Sequence, residues 1–151
     1  MASDLRLVAA LLHVIKHVER MGDQCVNIAK MLPVVGYEPP SDEKLLEQIF
    51  KMGALARSQI AQARQAFVLR DVAVAEDLVR QDEQINWLNR CVFARAVEIG
   101  TDEDRREWAM SMMLVARALE RIGDNAVDIG EQAAFVVTGQ FREFSDASHV
   151  G

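Results

Sequence analysis

Two cysteines, three prolines and eight glycines in 151 residues leave little with which to build a disulfide framework or a fold of many tight turns. Cys25 and Cys91 stand alone, with no CxxC pair and no neighbouring ligand pattern. They read as small buried hydrophobes in a reducing compartment, and a cytoplasmic protein is expected. Positive charge is also short: the net charge of −6 excludes general nucleic-acid binding, which needs a basic face. No run of about 18 apolar residues occurs, so no membrane span is expected. The opening MASDLRLVAALLHVIKH lacks the basic start and small-residue cleavage site of a signal peptide. No nucleophile sits beside a base, and no glycine-rich phosphate loop is present, so no catalysis is expected.

What is there is helical. Half of the residues are hydrophobic, enough for a real core. Leu7, Leu11, Val14, Val18, Met21, Cys25, Ile28 and Leu32 recur in steps of four and three, the stripe of a long first helix that is expected to stop at Pro33. PVVGYEPPS then reads as a loop, and Ser41 as the N-cap of a second helix carrying Leu45, Ile49, Met52, Ala56, Ala63 and Phe67. Arg70-Asp71 reads as a tight turn with Asp71 capping a third helix that Gly100 ends. Thr101 with Asp102, Glu103 and Asp104 is an acidic start suited to the positive end of a fourth helix, which runs to Gly139. No alternating strand pattern competes. The fold class expected is all-α, an antiparallel bundle of four long helices joined by short connections.

The chain repeats itself. ERMGDQCVNIAK, from Glu19 to Lys30, returns as ERIGDNAVDIGE, from Glu120 to Glu131, at an offset of 101 residues. At that offset the apolar stripes of the first and fourth helices also coincide, which points to duplication of a unit about 100 residues long. Within each copy Glu and Asp stand four apart, on one helix face beside the apolar stripe. Such carboxylates repel one another unless Arg20 and Arg121 reach back to them or a cation neutralises them. Gly22 and Gly123 each cost about 1 kcal/mol in a helix interior, which close approach of another backbone would offset. On the third helix Asp82 falls where an aliphatic residue is expected, with Asn86 one turn on and Asn89 again on the stripe. Asp82 and Asn86 could therefore meet Glu120 and Asp124 in one oxygen-rich site. A satisfied polar core residue is the alternative for Asp82, and arginine-paired surface carboxylates are the alternative for the acidic rows. His13 and His17, also four apart, form a weaker candidate metal pair, because Leu114 and Ala118 replace them in the second copy. No histidine follows a Glu by three positions, which speaks against di-iron oxidase chemistry.

The repeated ERxGDxxxxI phrase on the last helix of a three-helix unit resembles the PhoU family of phosphate transport accessory and regulatory proteins. ASDLRLVAALLHVIKHVERMGD resembles the third helix of a first PhoU repeat, LRDVAVAEDLVRQDEQIN the junction and second helix of a second repeat, and VVTGQFREF the family's C-terminal ending. The resemblance implies residues 1–32 as the motif helix of a partial first repeat, 33–41 as a linker, 42–140 as a complete three-helix repeat and 141–151 as a flexible tail. It implies a cytoplasmic negative regulator that links the phosphate transporter's ATPase subunit to a sensor histidine kinase, and so acts in transcription regulation. It also implies metal ligands, with iron or zinc first and manganese or magnesium next. Glu19, Asp23, Glu120 and Asp124 match the family's third-helix motif. Asp82 and Asn86 match the second-helix motif with Asn where the family often carries Asp. A carboxylate-rich metal-storage bundle and a metal-free helical scaffold are the competing functions. In a two-repeat member, part of the first helix would pack on two further helices, so a homodimer through the first helix is expected.

Overall fold

The computed structural model describes residues 2–35 and 41–144. It contains four helices: α1 (Ala2–Val35), α2 (Glu43–Leu69), α3 (Val72–Ile99) and α4 (Glu103–Thr138). The linker expected at 33–41 and the tail expected at 141–151 lie largely outside the described residues, as does His149.

The helix ends follow local chemistry. Asp71 begins α3 by accepting a hydrogen bond from the Val74 amide at 3.1 Å, while Arg70 closes α2 in the left-handed region at φ 56°. Gly100 closes α3, and Gly139 closes α4 at φ 73°, where a side chain would be strained. Asp102, rather than Thr101, is the N-cap of α4. Two boundaries differ from expectation. Pro33 lies inside the last turn of α1 instead of stopping it. A proline there leaves only the Ala29 carbonyl without its helical donor, and Ala29 is exposed, so water can serve it. The N-cap of α2 is Asp42, not Ser41: its carboxylate accepts from the Leu45 amide at 2.9 Å and from Arg95 Nε at 3.1 Å. The Arg95 guanidinium, ahead of that amide, holds the buried Asp42 carboxyl below its usual range. One residue thus starts α2 and ties it to the far end of α3.

The packing is built on α4. α2, α3 and α4 form a three-helix unit, and α1 lies on the opposite flank of α4. α3 runs antiparallel to both α2 and α4, since Gln59 meets Asp82, Gln62 meets Asp77, and Ile85 and Leu78 face Gly123 and Gly130. α1 runs antiparallel to α4, with His17 against Asn125 and Arg6 against Gly139. Leu45, Met52, Leu78, Ile85 and Val92 are wholly buried, and Trp108, Met112, Val115 and Ile122 join them from α4. At each fully buried aliphatic side chain about 1.5–3 kcal/mol of burial is at work.

The stripe read along α1 divides in two. Val14 and Ile28 pack against the core, Leu7 is half-buried, and Met21 is buried at 7% exposure. Leu11, Val18, Cys25 and Leu32 are exposed. Cys25 is therefore a surface thiol and Cys91 is half-buried, not the two buried hydrophobes expected. After Gly139 the chain turns back on α4: the Phe144 amide donates to Glu131 Oε1 at 2.7 Å, and Phe141 meets Phe135 edge-on.

Candidate functional site: a polar layer across α2, α3 and α4

The two copies of the acidic phrase sit in opposite surroundings. Gly123 is buried under α2 and α3. A methyl group there would stand 2.7 Å from Gln59 Oε1, 2.9 Å from Asp82 Oδ1 and 3.3 Å from Ile85 Cδ1. The glycine is what lets those side chains close over α4. At Gly22 a methyl group would meet no described atom within 4 Å, and Glu19 and Asp23 beside it are exposed. The structure brings Asp82, Asn86, Glu120 and Asp124 to one layer, and leaves Glu19 and Asp23 on a bare face of α1.

Within the layer, Asp82 accepts from Asn86 Nδ2 at 2.8 Å through Oδ2 and from Gln59 Nε2 at 3.5 Å through Oδ1. Loss of water and then the nearby charge of Asp124 push the Asp82 carboxyl up to about 6. Asp124, at the rim, is pushed up to about 6 by desolvation and then by Glu120. Glu120 is raised by desolvation; Arg117 opposes the shift and Asp82 adds to it. The layer is short of positive charge for the carboxylates it holds. Glu120 is 9% exposed and its Oε1 is paired with Arg117. Its Oε2 has no hydrogen-bond partner, and neither does the buried Oε1 of Gln59.

Arg117, three residues before Glu120, takes the role expected of Arg121. Residues at i and i−3 share a helix face, whereas Arg121, one residue on, points about 100° away. Gln59 was missed altogether, although it fills the gap between Ala56 and Ala63 in an otherwise apolar row. Asn89 is half-buried, and its Oδ1 also lacks a partner. His17 is no partner of His13. Its Nδ1 lies 2.9 Å from Asn125 Oδ1 and 3.1 Å from Asp128 Oδ2, joining α1 to α4. Asn125 Nδ2 donates to the Arg121 carbonyl, so Asn125 Oδ1 is the acceptor and His17 Nδ1 carries the proton.

The donor set of the layer is all oxygen, which suits a hard or borderline cation. A buried carboxylate oxygen without a partner suits one as well. Among the described residues, no group of three or more His, Cys, Asp or Glu is gathered tightly enough to form a finished metal site. No described helix is long and apolar enough to cross a membrane.

Known proteins resemble this chain along most of its length. The phosphate-specific transport system accessory protein PhoU homolog of Clostridium acetobutylicum is 27% identical over 96% of this chain and 66% of its own length. The homolog of that name in Deinococcus radiodurans is 30% identical over 91% of this chain and 64% of its own. The one in Burkholderia sp. is 32% identical over 99% and 62%. The chain thus spans a little under two thirds of the length of the curated relatives it matches. The crystal structure of the phosphate transport system regulatory protein PhoU from Streptococcus pneumoniae superposes with a TM-score of 0.85 at 26% identity, over 94% of this chain and 67% of that one. The PhoU domain model itself matches residues 1–32 and 49–133, taking in both copies of the acidic phrase, and the chain therefore belongs to the PhoU domain family.

Proposed function

We propose that this protein is a cytoplasmic accessory regulator of phosphate transport that acts by protein contact and turns over no substrate. It restrains phosphate uptake and the transcriptional response to phosphate starvation. Its contacts are the ATPase subunit of the phosphate transporter and a sensor histidine kinase, and it assembles as a homodimer through α1. The observation that carries this reading is the family match spanning both acidic phrases, one of them set into the core between three helices. The expected result is that the protein, immobilised at micromolar concentration, retains the ATPase subunit or the sensor kinase from the same cell. Retention of neither would count decisively against the reading.

A second reading, metal dependence, is favoured by Glu120 Oε2. Asp82, Glu120 and Asp124 would hold the cation, with Asn86 assisting, and its charge would neutralise the layer. Iron or zinc come first and manganese or magnesium next. Glu19 and Asp23 of the other copy would need ligands from outside the described residues. Metal analysis after purification without chelator is expected to find a cation that Glu120→Gln with Asp124→Asn removes, together with a metal-dependent rise in melting temperature that the double variant loses. Equal metal content and equal melting temperatures in the two proteins would rule the metal out.

A further inference from the structure

Gln59 has no exposed surface at all, the deepest burial of any polar side chain among the described residues. Its amide is poorly used. Nε2 reaches Asp82 Oδ1 only at 3.5 Å, the outer limit of a hydrogen bond, and the buried Oε1 accepts nothing. Turning the amide over would not help, because Oε1 would then face an Asp82 oxygen that, once ionised, also only accepts. A carbonyl oxygen buried without a donor is costly, and a methionine would fill the same space without that cost.

That oxygen stands 2.7 Å, and Asp82 Oδ1 2.9 Å, from the point a methyl group on Gly123 would occupy, so the two oxygens line one cradle over the glycine. Glu120, about one turn earlier on α4, brings a second buried oxygen without a partner, its Oε2, while Arg117 holds Oε1. Asp82 lies close enough to Glu120 and Asp124 for their charges to act on one another. The carboxylates alone are not gathered into a finished site. A further acceptor oxygen, from a third helix, is what they lack, and Gln59 is placed to supply it.

We propose that Gln59 Oε1 is a ligand of one oxygen-seeking divalent cation held between α2, α3 and α4, together with Asp82 Oδ1, Glu120 Oε2 and an Asp124 oxygen. This rests on the metal reading above and deepens it: the ion ties α2 to the other two helices, and the layer holds one ion rather than a cluster. Charge favours one. Asp82, Glu120 and Asp124 carry three negative charges when ionised and Arg117 returns one positive, which leaves two for a single divalent ion to balance. Asp128 is engaged by His17 and adds no free carboxylate for a second ion. Asn86, donating to Asp82 Oδ2 at 2.8 Å, orients that carboxylate. An amide carbonyl is a hard, neutral donor, and a set without nitrogen or sulfur narrows the choice of ion to manganese or magnesium ahead of zinc.

The test titrates the full chain with manganese(II) in chelator-treated buffer and counts free ion by electron paramagnetic resonance, with urea melts of the metal-free proteins alongside. Wild type is expected to bind one ion per chain. Gln59→Met keeps the volume and removes the amide; its affinity falls at least tenfold while its urea midpoint stays close to wild type. Gln59→Glu returns an oxygen at the same reach. It binds manganese at least as tightly as wild type, yet lowers the metal-free midpoint at pH 7.5 because a fourth carboxylate joins the layer. A residue that only packs would move the midpoint and leave the affinity alone. No uptake of manganese, iron(II) or zinc by wild type overturns the metal reading and this ligand together. Uptake that Glu120→Gln with Asp124→Asn abolishes and Gln59→Met leaves intact overturns Gln59 as a ligand and leaves the metal reading standing. Two or more manganese ions per chain, lost together in that double variant, overturn the single ion, and uptake of zinc without manganese overturns the all-oxygen set.

Discussion

Leu78→Ala is expected to lower the unfolding free energy by about 2–5 kcal/mol and the melting temperature by roughly 10 °C. Leu78 is wholly buried, and its Cδ1 occupies the space a side chain at Gly130 would need, 2.7 Å from where a methyl group would stand. The leucine and the glycine are one fitted pair across the α3–α4 contact. That makes a sharper test available. Gly130→Ala alone gains about 1 kcal/mol of helix propensity but overpacks against Leu78 at a cost of about 1–3 kcal/mol, so it should leave stability unchanged or lower. In the Leu78→Ala background the closest contact is gone, only the Ala75 carbonyl at 3.3 Å remains tight, and the new methyl fills part of the cavity, so the same change should be more favourable than in the wild type. The coupling, read from urea melts of the four proteins, is expected to reach at least about 1 kcal/mol. Simple additivity would show that the two residues do not share that space.

Asp82→Asn is expected to stabilise the protein at pH 7.5 in chelator-containing buffer, by on the order of 2–3 kcal/mol, and to do almost nothing at pH 4. The folded pKa of Asp82, about 6, lies above its ordinary 3.8. The stability tied to this group is therefore fully present below about pH 3.8 and is lost as pH rises through about 6. Asparagine removes the ionised form that burial and Asp124 oppose. Glu120 and Asp124 shift the same way, so the metal-free wild type should itself gain stability as pH falls from 7.5 toward 5. A denaturation midpoint that is flat across that range, or a variant less stable than the wild type at pH 7.5, would rule out electrostatic crowding in the layer.

The four helices were legible because spacing in threes and fours, together with Asp71, Gly100 and Gly139, needs only neighbours in sequence to be understood. The misjudged boundaries depend on distant groups or on solvent. Asp42 displaces Ser41 as a cap because Arg95, 53 residues away, reaches it. Pro33 is tolerated because the turn around it is wet. In the layer, Asp82 showed itself by interrupting an apolar row. Gln59 left the same kind of signal, a gap in the α2 row, but a glutamine is easily taken for surface. The contrast between Gly22 and Gly123 was invisible in sequence, since the two phrases differ in what lies over them and not in themselves. The division of α1 into a covered and an uncovered seam could not be read either: a stripe of steps of three and four is wide enough to serve two contacts at once.

Every other helix rests on α4, and α4 follows all three along the chain. On a ribosome, the surface that α1 covers appears about 100 residues after α1 itself. At about 5–20 residues per second that is a wait of roughly 5–20 s. α2 and α3 can pair in the interval as a local hairpin, but their inner faces and the side of α1 that packs on α4 stay uncovered until α4 emerges. The nascent chain therefore passes through a stage, long on the timescale of helix formation, in which almost all of its eventual core is open to chaperones, and its folding completes in one late step.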